Sequence, residues 1–114
     1  MNMTWKEYAM QIDIRARKME VGEALRAHVE RRLRFALSRF GERVAKVIVC
    51  LGDANGARGG MDKHCHIDVA LRPSGNVLVE DIDADFPAVV DRAAGRVGRA
   101  VGRDLQRRRE SERL

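Results

Sequence analysis

The sequence predicts an α+β domain in which a four-stranded sheet carries two helices on one face. The prediction rests on the order of the patterned segments, β-α-β-β-β-α, and on the patterns inside them. The strand segments alternate apolar and polar residues or are rich in Val and Ile, and each helix segment has one apolar stripe. Two amphipathic helices need an apolar surface to cover, and a sheet with one apolar face supplies it. A length of 114 residues suits one domain with a modest core.

The first half of the chain predicts a strand, a helix and a second strand. Residues 11–17, QIDIRAR, alternate strictly between apolar and polar side chains, as in a half-buried strand. From 22 to 40, apolar side chains return at helical spacing, and Gly22 suits the N-cap and Gly41 the C′ position of a helix. Residues 43–51 are rich in Val and Ile, which favours the second strand.

A loop and a hairpin are predicted next. Four glycines and an Asn-Gly pair predict a loop at 52–62. Residues 63–72 alternate again, 76–82 form a last strand, and the short PSG turn at 73–75 makes them an antiparallel hairpin. One face of the first of these strands carries Cys65, Ile67, Val69 and Leu71. The other face carries His64, His66, Asp68 and Ala70.

The last segment predicts a helix from about residue 86, with Asp83 or Asp85 as its cap and Pro87 in its first turn. Six apolar residues share one stripe: Val90, Ala93, Ala94, Val97, Val101 and Leu105. Five arginines share the opposite stripe: Arg92, Arg96, Arg99, Arg103 and Arg107. Between the stripes lie three glycines, each costing about 1 kcal/mol relative to alanine: Gly95, Gly98 and Gly102. Two interpretations stay open: the glycines permit a close approach, to the first helix or to a ligand, or they are merely tolerated.

The basic charge is concentrated at the end of the chain. Residues 92–114 contain eight arginines and three acidic residues, so this segment accounts for the whole formal net charge of +5. A focused basic segment indicates a polyanionic partner, nucleic acid before an anionic membrane or an acidic protein, while a solvated helix face is the plainer alternative. Aromatic residues make up only 4% of the chain, too few for a single-strand binder that relies on stacking throughout.

Other classes of protein are disfavoured. No apolar run approaches the roughly 18 residues of a membrane span, and the first residues lack the apolar core of a signal peptide, so we expect a cytoplasmic protein with no membrane partner. Two cysteines, Cys50 and Cys65, do not predict a disulfide in such a compartment. The HCH at 64–66 does not predict zinc either, because alternation turns its histidines and its cysteine to opposite sides. We predict no metal and no cofactor.

An enzyme is not predicted. The acidic DIDAD at 81–85 suits a strand exit and a helix cap better than the longer ligand spacing of a calcium loop. Nothing else in the sequence pairs a nucleophile with a base, or two carboxylates in a cleft. The sequence therefore favours a binding protein.

At the level of whole segments, the chain resembles the ribosome hibernation promoting factors, also called the ribosome-associated inhibitor or sigma-factor modulation family. The resemblance covers residues 10–109 and is carried by "MQIDIRAR…MEVGEALRAHVERRL" and "HIDVALRPSGNVLVEDIDADFPAVVDRAAGRVGRAV". Within the second stretch, "DADFPAVVDRAAGRV" is similar to the family's acid–aromatic–Ala–Ala–apolar–Asp helix start. We therefore expect a ribosome-binding domain at 10–109, an N-terminal extension at 1–9 and a short C-terminal tail at 110–114.

The resemblance implies a function and a partner. Members of this family bind the small ribosomal subunit at the decoding region and overlap the paths of mRNA and tRNA, so that translation stops and idle ribosomes are preserved during starvation or stationary phase. Their contacts are chiefly basic side chains of the two helices against rRNA phosphates. On this basis we expect eight rRNA-binding residues: Arg31, Arg34, Arg92, Arg96, Arg99, Arg103, Arg107 and Arg108. Arg109 would extend the same row.

Several alternatives stay open. The chain is expected to be a short form, without the C-terminal dimerisation domain of long members, and a monomer away from the ribosome. Whether it idles single ribosomes or helps a separate ribosome modulation factor to pair them is undecided by the sequence. Rival interpretations are a generic double-stranded RNA-binding module and a regulator of a transcription-factor partner.

Overall fold

The computed structural model describes residues 10–54 and 62–112. Its strands and helices follow the predicted order, which confirms the α+β class. They are β1 (Gln11–Arg17), α1 (Glu23–Leu37), β2 (Val44–Asp53), β3 (Lys63–Leu71), β4 (Asn76–Asp83) and α2 (Phe86–Glu112). A 3₁₀ segment, Ser38–Arg43, joins α1 to β2.

The strands form one mixed sheet in the order β1-β2-β3-β4. β1 and β2 are parallel, with α1 as the crossover between them, and the other two pairs are antiparallel. The predicted hairpin between β3 and β4 is confirmed. Its turn closes with a 2.8 Å hydrogen bond from the Leu71 N–H to the Gly75 carbonyl, and Gly75 has a φ of 96°, which glycine adopts without strain.

One face of the sheet forms the core. The register aligns Ile14, Val49, Ile67 and Val79 in a row across the four strands, and all four side chains are buried. The helices cover this face with the stripes that periodicity predicts. The buried residues of α1 are Val29, Leu33 and Leu37. All six residues of the predicted α2 stripe are buried as well.

The two helices touch closely at Gly98. A Cβ atom at Gly98 would lie 3.0 Å from the Ala36 carbonyl oxygen and 3.3 Å from the Ala36 Cβ. A Cβ at Gly102 would lie 3.5 Å from the Phe40 ring. At Gly95 it would meet only the guanidinium of Arg99, on the same helix, at 3.4 Å. The interpretation of close approach to the first helix is therefore confirmed at Gly98, whereas packing does not require a glycine at Gly95.

The end of the first helix was predicted three residues too late. The α-helix ends at Leu37, not at 40, and tightens into the 3₁₀ segment. Gly41 supplies the turn from inside that segment, with a φ of 57° and a ψ of −129°, because the chain must reverse there to enter β2. Gly22 is the N-cap of α1, as predicted.

Several element boundaries also differ from the predicted ones. β2 continues to Asp53, so the loop predicted at 52–62 starts later, and most of it, 55–61, lies outside the described residues. β3 ends one residue early and β4 one residue late. Of the two candidate caps of α2, Asp85 fills the role, since its Oδ2 accepts a 3.0 Å hydrogen bond from the Ala88 N–H.

The glycines of α2 yield a prediction about stability. Gly95→Ala should raise the free energy of unfolding by about 1 kcal/mol, because alanine has the better helix propensity and the site has room. Gly98→Ala should gain less, or lose stability, because the new methyl group presses on the backbone of Ala36. Urea unfolding of both variants measures the difference, and equal gains would contradict the close helix contact.

Candidate nucleic-acid interface

The arginines on the outward side of α2 fall into two groups, those that form an ion pair with another described residue and those that do not. Arg99 and Arg103 are exposed, and no carboxylate of the described residues forms an ion pair with either of them. Their charges are therefore available to a ligand. The arginines before and after them have partners within the protein, so the row is not uniform.

Arg92 and Arg96 are tied to the edge strand β4. Arg92 Nε lies 3.0 Å from Asp81 Oδ2, and a second nitrogen of Arg92 lies 2.8 Å from Asp83 Oδ2. Arg96 donates to the same Asp81 oxygen at 3.0 Å and to the Glu80 carbonyl at 2.9 Å. Asp81 and Asp83 lie on the same face of β4 as buried Val77 and Val79, the face that the helices cover. These bonds fasten the first half of α2 to the sheet.

The two aspartates are held in their charged form. Burial alone would raise the pKa of Asp81, but hydrogen bonds from Arg92 and Arg96 outweigh it and lower the pKa. The Arg92 guanidinium also lowers the pKa of Asp83, helped by the Ala84 N–H. Arg92 and Arg96 keep 44% and 47% of their side chains exposed, so they reach the surface with much of their charge already compensated.

At the far end of α2, Arg107 and Arg108 diverge. Arg107 is 68% exposed, and its distance to Asp104 is 3.9 Å, which makes a weak pair. Arg108 donates to Asp104 at 2.6 Å and to the Ser74 carbonyl at 2.8 Å. It therefore turns towards the β3–β4 turn and anchors the helix there, and it does not extend the outward row as expected from the sequence.

The first helix adds further basic side chains to the same surface. Arg31 and Arg34 are both exposed, and Arg34 Nη1 lies 3.5 Å from the Met10 carbonyl oxygen, just before β1. Arg39 lies over the Phe40 ring, 4.6 Å from its centroid. Because α1 and α2 lie side by side, their outward sides form one continuous surface, which we call the helix surface: Arg31, Arg32, Arg34, Phe35, Arg39, Arg92, Arg96, Arg99, Arg103 and Arg107.

Sequence reasoning missed two features of the helix surface. One is the pairing of Arg92 and Arg96 with Asp81 and Asp83. The DIDAD segment and two arginines four residues apart were visible, but only the sheet register brings them together. The other is Phe35, a residue that is 78% exposed and lies off the buried stripe of α1.

The opposite face of the sheet carries a pocket, whose lining includes Arg15, Arg17, Cys50, His64 and His66. His66 Nδ1 lies 3.1 Å from Glu80 Oε2 there, and Cys50 is half-buried. Cys65 points into the core, as alternation predicts, and burial raises the pKa of its thiol to about 12. Within 10–54 and 62–112, no three His, Cys, Asp or Glu side chains are grouped to hold a metal ion. None of the helices in those ranges is long and apolar enough to cross a membrane.

Comparison with known proteins identifies a family and a set of similar solved structures. The family model of the sigma 54 modulation protein / S30EA ribosomal protein matches residues 12–109. The Thermus thermophilus Protein Y N-terminal domain is 33% identical, with a TM-score of 0.68 over 82% of this chain and 98% of that one. A ribosomal subunit interface protein from Coxiella burnetii is 14% identical and shares the fold, with a TM-score of 0.73 over 85% of this chain and 99% of that one. A search of curated protein sequences finds no match.

The Asp81 contacts predict how stability depends on pH. A carboxylate with a lowered pKa stabilises the fold above the ordinary aspartate value of about 3.9 and loses that effect as pH falls through its folded-state pKa. At pH 6, the Asp81→Asn variant should therefore have a lower free energy of unfolding than the parent protein. This difference in the free energy of unfolding should shrink towards pH 3. Urea unfolding at several pH values measures it.

Glu20→Gln is the matched control. Glu20 is an exposed carboxylate with no ion pair among the described residues, so this change should leave stability nearly unaltered at every pH. A gap between the Asp81→Asn variant and the parent that stayed constant down to pH 3 would show that the charge of Asp81 is not what stabilises the fold.

Proposed function

The chain belongs to the sigma 54 modulation protein / S30EA ribosomal protein family, and on that premise we propose that it binds the small ribosomal subunit through rRNA phosphates and inhibits translation. The observation that carries the proposal concerns Arg99 and Arg103 at the centre of the helix surface: both are exposed, and neither forms an ion pair with another described residue. The family's description as an S30EA ribosomal protein and the name of one structural relative, a ribosomal subunit interface protein, support a ribosomal partner.

Arginine suits this contact for a physical reason. Its planar guanidinium can hold a phosphate with two hydrogen bonds and can also stack on a base. Each phosphate that it neutralises releases counterions, so the affinity should fall steeply as salt rises. A surface of this kind would take rRNA, whose A-form and irregular segments present dense phosphates.

The eight expected residues take different parts in this proposal. Arg99 and Arg103 make the primary phosphate contacts, and Arg107, Arg31 and Arg34 extend them. Arg92 and Arg96 contribute with their exposed parts, in competition with Asp81 and Asp83. Arg108 acts by holding the end of α2 on the hairpin turn.

Inhibition in this proposal requires no chemistry. The domain at 10–109 would occupy the path of mRNA and of tRNA in the decoding region and exclude both by its volume. Such a factor would act in the cytoplasm, on ribosomes left idle in starvation or stationary phase. A separate ribosome modulation factor would be its second partner.

Charge reversal tests the primary contacts. Arg99→Glu with Arg103→Glu should abolish co-sedimentation with isolated small subunits and with whole ribosomes, since two attractive charges become repulsive. The control, Arg17→Glu with Lys46→Glu, makes the same charge change at exposed positions of β1 and β2, away from the helix surface, and should bind normally. Equal loss in both variants would show that net charge, not the helix surface, governs binding.

The same sedimentation experiment separates the rival functions. Binding to small subunits and whole ribosomes, but not to large subunits, lost steeply with salt, supports the proposal. Strong competition by a plain RNA duplex would favour a generic double-stranded RNA binder. An association that survives nuclease and moderate salt would point to a protein partner of the transcription apparatus.

The aspartates of β4 give an independent prediction. Asp81→Asn with Asp83→Asn should release Arg92 and Arg96 from their internal pairs, so the protein should bind small subunits more tightly. The slope of log affinity against log salt should steepen, by about 0.7 to 0.9 for each new phosphate contact. A salt series on the folded variant measures this slope, and an unchanged slope would remove both arginines from the proposed contact set.

A further inference from the structure

Phe35 is the most exposed large apolar side chain among the described residues. It lies on the outward side of α1, is 78% exposed as a residue, and is not part of the core beneath the helices. A single exposed apolar residue is ordinary in a folded protein and indicates nothing by itself. The surroundings of this ring distinguish it.

The ring is supported on one side by Arg32. The guanidinium carbon of Arg32 lies over the ring, 5.8 Å from its centroid, within the range of a cation–π contact. Arg32 is in turn held by α2, because its Nε lies 3.1 Å from Asp91 Oδ1. That buried Nε has no well-aligned acceptor, so its contact with Asp91 is an ion pair and not a hydrogen bond.

Asp91 is itself fixed between the helices. Its Oδ1 also lies 2.7 Å from His28 Nε2, so that two side chains of α1 share one carboxylate of α2. Arg32 is therefore positioned before any ligand arrives. The ring has a charged support on one face, and its high exposure leaves the other face open to solvent.

The charge around the ring decides which partner fits. Arg31 and Arg34 are exposed on the same helix, and no other large apolar side chain is exposed on the helix surface. The other two exposed large apolar residues, Leu78 and Ile82, alternate with the core residues of β4 and so face the opposite side of the sheet. A protein partner would be expected to meet an apolar patch, whereas one ring among cations suits a nucleobase between phosphates.

We propose that Phe35 is a base-stacking residue: an unpaired base of the RNA bound by the helix surface stacks on the face of the ring turned away from Arg32. This inference rests on the proposed function and deepens it. Bases are free to stack in this way only where RNA is single-stranded or irregular. Phe35 would therefore make the protein prefer folded rRNA with unpaired bases over a uniform duplex, which phosphate contacts alone do not distinguish.

The test compares Phe35→Ala, Phe35→Leu and Phe35→Trp with the parent protein in binding to isolated small subunits. Phe35→Ala should bind about tenfold more weakly, with an unchanged salt slope, because stacking releases no counterions. Phe35→Trp should bind at least as tightly as the parent. Phe35→Leu should bind as weakly as Phe35→Ala, because leucine keeps an apolar contact but has no π-face.

A spectroscopic readout tests the stacking itself. With Trp5→Phe in the background, the side chain introduced by F35W is the sole tryptophan, and its fluorescence should be quenched by small subunits. Unchanged emission on binding would overturn the proposal.

The outcomes separate this inference from the function on which it rests. If Phe35→Ala binds like the parent while Arg99→Glu with Arg103→Glu does not bind, stacking is refuted and the proposed function stands. If Phe35→Leu restores binding, the ring meets an apolar protein side chain and the inference is wrong. If the parent protein does not bind small subunits at low salt, both proposals fail together.

Discussion

The close contact between α1 and α2 at Gly98 is the constraint on which the rest of the structure depends. Because no side chain separates the helices there, Ala36 approaches the backbone of α2, and both helices fit on the apolar face of a four-stranded sheet. Their outward sides then form one surface. A larger residue at Gly98 would push the helices apart and divide the basic surface into two. Gly98 allows this close contact although glycine has a lower helix propensity than alanine.

Within that surface, the arginines differ in whether the domain itself pairs them. Arg92 and Arg96 fasten α2 to β4 through Asp81 and Asp83, while Arg108 fastens the other end to the β3–β4 turn. The guanidinium groups between these anchors, Arg99 and Arg103, remain unpaired in the described part of the chain. An arginine-rich helix thus stays attached to its own domain at both ends and still offers unneutralised charge in the middle.

The contacts of Asp91 link the packing of the two helices to the position of Phe35 on the surface. Its carboxylate holds His28 and Arg32 across the helix interface, and Arg32 supports the exposed ring of Phe35. One carboxylate in the gap between the helices therefore orders a side chain on the surface.

The sequence alone determined the element order, the buried stripes and the inward orientation of Cys65, because these follow from local periodicity. The sequence also located the row of arginines on α2 and indicated the family to which the chain belongs. It misplaced the end of α1, because the entry into β2 sets that end, and it put Arg108 on the outside. Tertiary structure alone decided which arginines form ion pairs with other described residues and which do not. The pairing of Arg92 with Asp81 depends on how α2 packs against the edge strand, which local periodicity does not show.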